Sequence, residues 1–155
     1  MGELLHVLQV EDSESDAALT IRLLEKAGYT VESERVEEAE PMRQALARQE
    51  WDVILADHQL PQFDAAAALQ VLQECGQDIP FIIVSGTIGQ DRAAEMMRAG
   101  AHDYVLKDRI TRLAPVVQRE TRDAQFRRER RQMVERLRDR DEWLALVVGA
   151  TRLGM

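Results

Sequence analysis

The chain has 155 residues, 45% of them apolar and 31% charged, with a net charge of −8. That is enough chain to bury a core unaided, and a single cysteine, Cys75, excludes both an internal disulfide and a cysteine-based zinc site. No run approaches the roughly 18 apolar residues of a membrane span, and Met1–His6 lacks the basic and apolar stretches of a signal peptide, so a cytoplasmic protein is expected.

The first predicted strand is Leu4–Val10. Ser13 then caps a helix that carries Leu19, Leu23 and Leu24 and stops at Gly28. Thr30–Val36 alternates apolar positions with Glu32 and Glu34, the pattern of an edge strand, and Met42, Ala45 and Leu46 mark a second helix with Pro41 in its first turn. Asp52–Ala56 is a third strand, and Leu69, Val71 and Leu72 belong to a third helix ending near Gly76. Ile79–Val84 is a fourth strand, followed by a helix over Asp91–Ala99 closed by Gly100, and Asp103–Leu106 is a fifth strand. Most of these strands are nearly continuous in apolar residues, as strands covered on both faces are. Five strand–helix repeats give an α/β fold with a mostly parallel sheet, whose ligand site belongs at the carboxyl ends of the strands.

The fifth helix starts near Thr111 and meets no glycine before Gly149. Leu113, Val116 and Val117 can pack on the sheet. Beyond them Phe126, Met133, Leu137, Leu144 and Val147 fall on alternating steps of three and four, a coiled-coil seam interrupted by Arg130 and Arg140. Between Arg119 and Glu142 nine arginines face seven acids, which leaves −10 on the rest of the chain. An acidic body lacks the basic surface that phosphate contacts need, so no direct nucleic-acid partner is expected, and it invites a cation. Residues 1–120 read as one domain and 121–155 as an extended helix that pairs with a second copy. Glu142–Met155 looks like the lead-in to a PAS-type domain, which points to a fragment of a longer signalling protein.

The polar residues at the strand ends carry the chemistry. Strand one ends in Glu11-Asp12, strand three in Asp57, strand four in Ser85-Gly86-Thr87 and strand five in Lys107. Parallel strands bring these ends to one edge, where three carboxylates repel unless something neutralises them. A hard divalent cation with oxygen ligands does so, and Mg²⁺ takes a few carboxylates, waters and a phosphate oxygen. The lysine and the hydroxyl are suited to a phosphoryl group, and one carboxylate is a candidate nucleophile. The expected chemistry is phosphoryl transfer to an aspartate.

Four segments carry a resemblance: Val10-Glu11-Asp12-Ser13, Ile54 to Pro61, Ile83-Val84-Ser85-Gly86 and Gly100 to Lys107. With them, residues 4 to about 120 resemble the receiver domain of two-component response regulators. The resemblance implies a flavodoxin-like, doubly wound sheet of five parallel strands in the order 2-1-3-4-5. It implies Asp57 as phospho-acceptor, and Mg²⁺ (or Mn²⁺ in its place) held by Glu11, Asp12, Asp57 and the Gln59 backbone carbonyl. Ser85 would take a phosphoryl oxygen, Lys107 would pair with the phosphoryl charge, and Tyr104 would be the switch aromatic. Gln59 and Thr87 fall where the family tunes phosphoaspartate lifetime. The implied partners are a sensor histidine kinase or a histidine phosphotransfer protein, with output through the C-terminal helix. The sequence departs from the family at Asp108, where proline is usual and the preceding peptide cis, at Ala65, where glycine is commoner, and at Ser85, where threonine is.

Other readings are weaker. An aspartyl-nucleophile phosphatase usually needs an acid two residues after its nucleophile, and Gln59 stands there. Gly86-Thr87-Ile88-Gly89 lacks the lysine of a phosphate-binding loop. An interaction module that has lost phosphorylation would not be expected to keep Asp12, Asp57, Ser85 and Lys107. The expected protein is a phospho-accepting switch, not an enzyme. His58 reads as a loop side chain, Cys75 as a buried or half-buried filler, and Trp51 and Trp143 as packing residues.

Overall fold

The computed structural model describes residues 3–57, 63–86 and 90–153, with the backbone alone for 90 and from 140 onward. The element order is β1 (Glu3–Val10), α1 (Glu14–Lys26), β2 (Tyr29–Val36), α2 (Ala39–Arg48), β3 (Val53–Ala56), α3 (Ala65–Cys75), β4 (Phe81–Ser85), α4 (Gln90–Ala99), β5 (Asp103–Leu106), a 3₁₀ segment (Lys107–Arg112) and α5 (Leu113–Leu153). The strands form one parallel sheet in the order β2-β1-β3-β4-β5. The chain divides into two compact units, Met1–Thr121 and Arg122–Met155.

Alternation along the strands sorts the first unit's core into two layers. Leu8, Val10, Ile54, Ala56, Phe81 and Ile83 face one way and pack with Met42, Leu46, Leu69 and Leu72 of α2 and α3. Leu5, Val7, Val53, Leu55, Ile82, Val84 and Val105 face the other way, with Leu24 of α1 and Leu113, Val116 and Val117 of α5. Burial on both faces explains the unbroken apolar runs of β3 and β4, and β2, with its alternating glutamates, is an edge. Gln9 is the buried polar residue of β1. It stays buried because its side-chain amide donates to the Ala17 carbonyl of α1.

Local signals set the helix ends. Ser13 Oγ accepts the Asp16 N–H as N-cap of α1, and Asp64 accepts the Ala67 N–H as N-cap of α3. Gly76 ends α3 in the left-handed conformation at φ 69°. The inner face of α1 is Ala17, Thr20 and Leu24, and Leu19, off that face, is 50% exposed. Cys75, the last residue of α3, is exposed as well. Trp51 does pack in the core, its indole N–H donating to the Ala45 carbonyl.

Candidate functional site

Register places the site. Val10 pairs with both Val36 and Ala56, Ala56 with Ile83 and Ser85 with Leu106, so β1 and β3 stop level while β4 and β5 run two residues further. The residues that follow the strands, Glu11 and Asp12 after β1, Asp57 after β3 and Lys107 after β5, share one edge with Ser85, the last of β4. Two backbone bonds hold the floor: Asp57 N–H donates to the Val10 carbonyl, and Glu11 N–H to that of Val36. The crevice opens between β1 and β3, where the strand order reverses.

Glu11, Asp12 and Asp57 each offer a carboxylate oxygen within 4.8 Å of the others, with Glu11 and Asp57 buried and Asp12 exposed. Lys107 Nζ lies 2.9 Å from Asp57 Oδ2 and 3.6 Å from Glu11 Oε2. Burial pushes the Glu11 carboxyl up to about 7, the Asp57 charge and their mutual hydrogen bond adding to it; Lys107 and the Ser13 N–H only partly oppose this. One ammonium does not compensate two buried carboxylates, so the edge keeps a proton or takes a cation. Burial pulls Lys107 down, but the hydrogen bonds to Asp16 and Asp57 and the charges of Asp57 and Glu11 outweigh it and hold the amine protonated.

Ser85 is 1% exposed and lies two positions after Ile83 on the same strand face. Tyr104 is half-buried against the cluster of Val10, Ala56 and Ile83. The Asp108 departure leaves no cis bond, since no described peptide is cis. Ala65, in place of glycine, is wholly buried in the core behind the Asp64 cap. Gln59, His58 and Thr87 lie outside the described residues, so the Gln59 carbonyl is not located.

Two residues were missed by sequence reasoning. Asp16 Oδ2 accepts from Lys107 Nζ at 2.8 Å. Arg35, at the end of β2, donates to the Glu11 backbone carbonyl at 3.1 Å and pairs with Glu37 and Glu14. A signal for Asp16 existed: an acid three residues after a Ser N-cap sits in the first helical turn, at the same end of the sheet as Glu11. Arg35 had none beyond its place at a strand end.

Fold and edge define a flavodoxin-like domain with an acidic, lysine-capped crevice at its switch point. Residues 7–118 match the response regulator receiver domain, and the chain belongs to that family of phospho-accepting switches. It is similar to the transcriptional regulatory protein ZraR of Klebsiella oxytoca, 27% identical over 108 residues, covering 68% of this chain and 24% of that protein. Among solved structures it resembles the signal receiver domain of a LuxO repressor protein from Vibrio parahaemolyticus (TM-score 0.70, 25% identity, 79% of this chain and 94% of that one). It also resembles the receiver domain of a sensor histidine kinase from Pseudomonas aeruginosa PAO1, solved with a magnesium ion in its active site cleft (TM-score 0.63, 27% identity, 78% and 98%). The chain spans about a quarter of the length of ZraR. No described helix is long and apolar enough to cross a membrane.

Proposed function

We propose that Asp57 accepts a phosphoryl group from a phosphohistidine of a sensor histidine kinase or a histidine phosphotransfer protein. An Asp57 carboxylate oxygen attacks phosphorus, the P–N bond to the donor imidazole breaks, and an acyl phosphate forms while the imidazole takes up a proton. The observation that carries this reading is the Lys107 ammonium, 2.9 Å from a buried Asp57 carboxylate, beside two further acids. Lys107 and the Ser85 hydroxyl serve as donors to the phosphoryl oxygens, where negative charge grows.

Glu11, Asp12 and Asp57, with the Gln59 carbonyl, would hold Mg²⁺, and Mn²⁺ with the same oxygen preference would substitute. The all-oxygen donor set and the raised Glu11 carboxyl fit a hard cation. When bound, the ion supplies positive charge to the crowded oxygens. With Gln59 in place of a second acid, the site acts as a switch and not a turnover enzyme. The chain works in the cytoplasm beside its histidine donor.

Output runs through α5 as a parallel homodimer toward a C-terminal PAS-type domain. Phe126, Met133 and Leu137 are 60%, 63% and 53% exposed at coiled-coil spacing, which favours pairing with a second copy. Positions 140, 144 and 147 of the seam have side chains outside the described residues. Phosphorylation would shift the pair by favouring one of two helix arrangements.

Incubation with acetyl phosphate and Mg²⁺ tests the reading. A hydroxylamine-labile label on the native protein, missing from Asp57→Asn, is expected. An undiminished label on the variant would move the nucleophile elsewhere.

A further inference from the structure

Lys107 touches three carboxylates. Glu11 and Asp57 belong to the proposed reaction, but Asp16 has no part in it yet. Asp16 is the third residue of α1, where an acid behind a serine cap ordinarily reaches back to the cap's own N–H. Here the Ser13 N–H donates instead to Glu11 Oε1 at 3.2 Å. Asp16 is thereby released from capping, and its carboxylate turns to Lys107, 91 positions away, at 2.8 Å. Its backbone is pinned on both sides: the N–H donates to Ser13 Oγ at 3.2 Å and the carbonyl accepts from Thr20 Oγ1 at 3.0 Å. Asp16 and Lys107 also line a small cavity of about 80 Å³ with Leu19, Thr20, Val84 and Ile110. The ammonium is held between a fixed helix turn and the end of β3.

We propose that Asp16 is a positioning residue for the reaction at Asp57. It fixes the Lys107 ammonium over the acceptor before any phosphoryl group arrives, so that the transferred group meets a donor already in place. A free lysine stem samples many rotamers, and immobilising it beforehand removes that loss from the transfer step. The proposal rests on the phospho-acceptor reading of Asp57.

The test compares Asp16→Ala and Asp16→Asn with the native chain. Asn keeps an acceptor oxygen of the same reach; Ala keeps none. With acetyl phosphate and saturating Mg²⁺, Asp16→Ala is expected to label Asp57 about tenfold more slowly, the worth of one partly exposed charge-assisted hydrogen bond. Asp16→Asn is expected to stay within about threefold of native, because it retains the bond in neutral form. The nitrogen-15 resonance of Lys107 Nζ gives a readout without any phosphodonor. It should be visible in the native protein and in Asp16→Asn, where hydrogen bonds slow exchange with water, and lost in Asp16→Ala. Native labelling by Asp16→Ala, an unchanged Nζ resonance in that variant, or an Asn variant as slow as Ala would each overturn the positioning role. An unlabelled native protein with its Nζ resonance intact would instead overturn the phospho-acceptor reading beneath it.

Discussion

Glu11 lies buried against Asp57, and burial, reinforced by that neighbouring carboxylate, raises its carboxyl to about 7 from its ordinary 4.5. Between those two pH values the folded protein keeps a proton that the unfolded chain has released. The contribution of Glu11 to stability is therefore complete below about 4.5 and is lost as pH rises to about 7. On the proposed reading Mg²⁺ takes the place of that proton, so its effect has the opposite sense. Thermal midpoints at pH 5 and pH 8, with and without Mg²⁺, are expected to show the larger Mg²⁺ gain at pH 8. Equal gains would contradict the shared-proton site.

Asp12 is exposed, unlike its two neighbours, so its removal should leave the apo fold intact. Asp12→Ala is expected to melt close to the native protein without metal and to lose the Mg²⁺-dependent rise, which depends on binding to the folded state. A full rise in the variant would remove Asp12 from the metal ligands.

Gly100 and Gly86 offer a contrast in stability. Gly100 has φ 124°, and a Cβ there would stand 2.8 Å from Gln73 Nε2, which donates to the Ala99 carbonyl. Gly100→Ala should cost about 1–2 kcal/mol in urea unfolding, through strain and the displaced Gln73. A Cβ at Gly86 would meet nothing within 4 Å. Gly86→Ala should stay within about 0.5 kcal/mol of native.

The seam on α5 predicts an oligomeric state. The chain of 155 residues is expected to sediment as a dimer at high concentration, and Met133→Glu with Leu137→Glu as a monomer, because paired charges in the seam cost more than the exposed helix does. Native and doubly substituted chains both monomeric, with and without a phosphoryl mimic, would reduce the helix to a tether.

Much of this was legible from residue order. The strand ends that carry Glu11, Asp57, Ser85 and Lys107 follow from five apolar runs and the parallel-sheet rule, and the structure puts these residues on one edge. Strand limits shifted by a residue or two: Asp52 leaves β3 to bind the His6 N–H with its carboxylate, and β4 starts after Pro80. The buried positions of α1 include Thr20, which apolar spacing does not pick out and whose hydroxyl is satisfied by the Asp16 carbonyl. Asp16 escaped notice because its partner is 91 positions away, and only tertiary contact shows that Glu11 has relieved it at the cap. Cys75, read as a filler and found exposed, shows the same limit, since a small residue at a helix end falls in or out by packing alone.

The most direct measurement is a crystal structure of the protein with Mg²⁺ and beryllofluoride, a mimic of the phosphoryl group. The expected result is the mimic bonded to an Asp57 carboxylate oxygen, within hydrogen-bond reach of Lys107 Nζ and Ser85 Oγ, and Mg²⁺ beside Glu11 and Asp12. Beryllofluoride on another carboxylate, or no occupancy at saturating concentration with the Asp57–Lys107 pair unchanged, would contradict Asp57 as the phospho-acceptor.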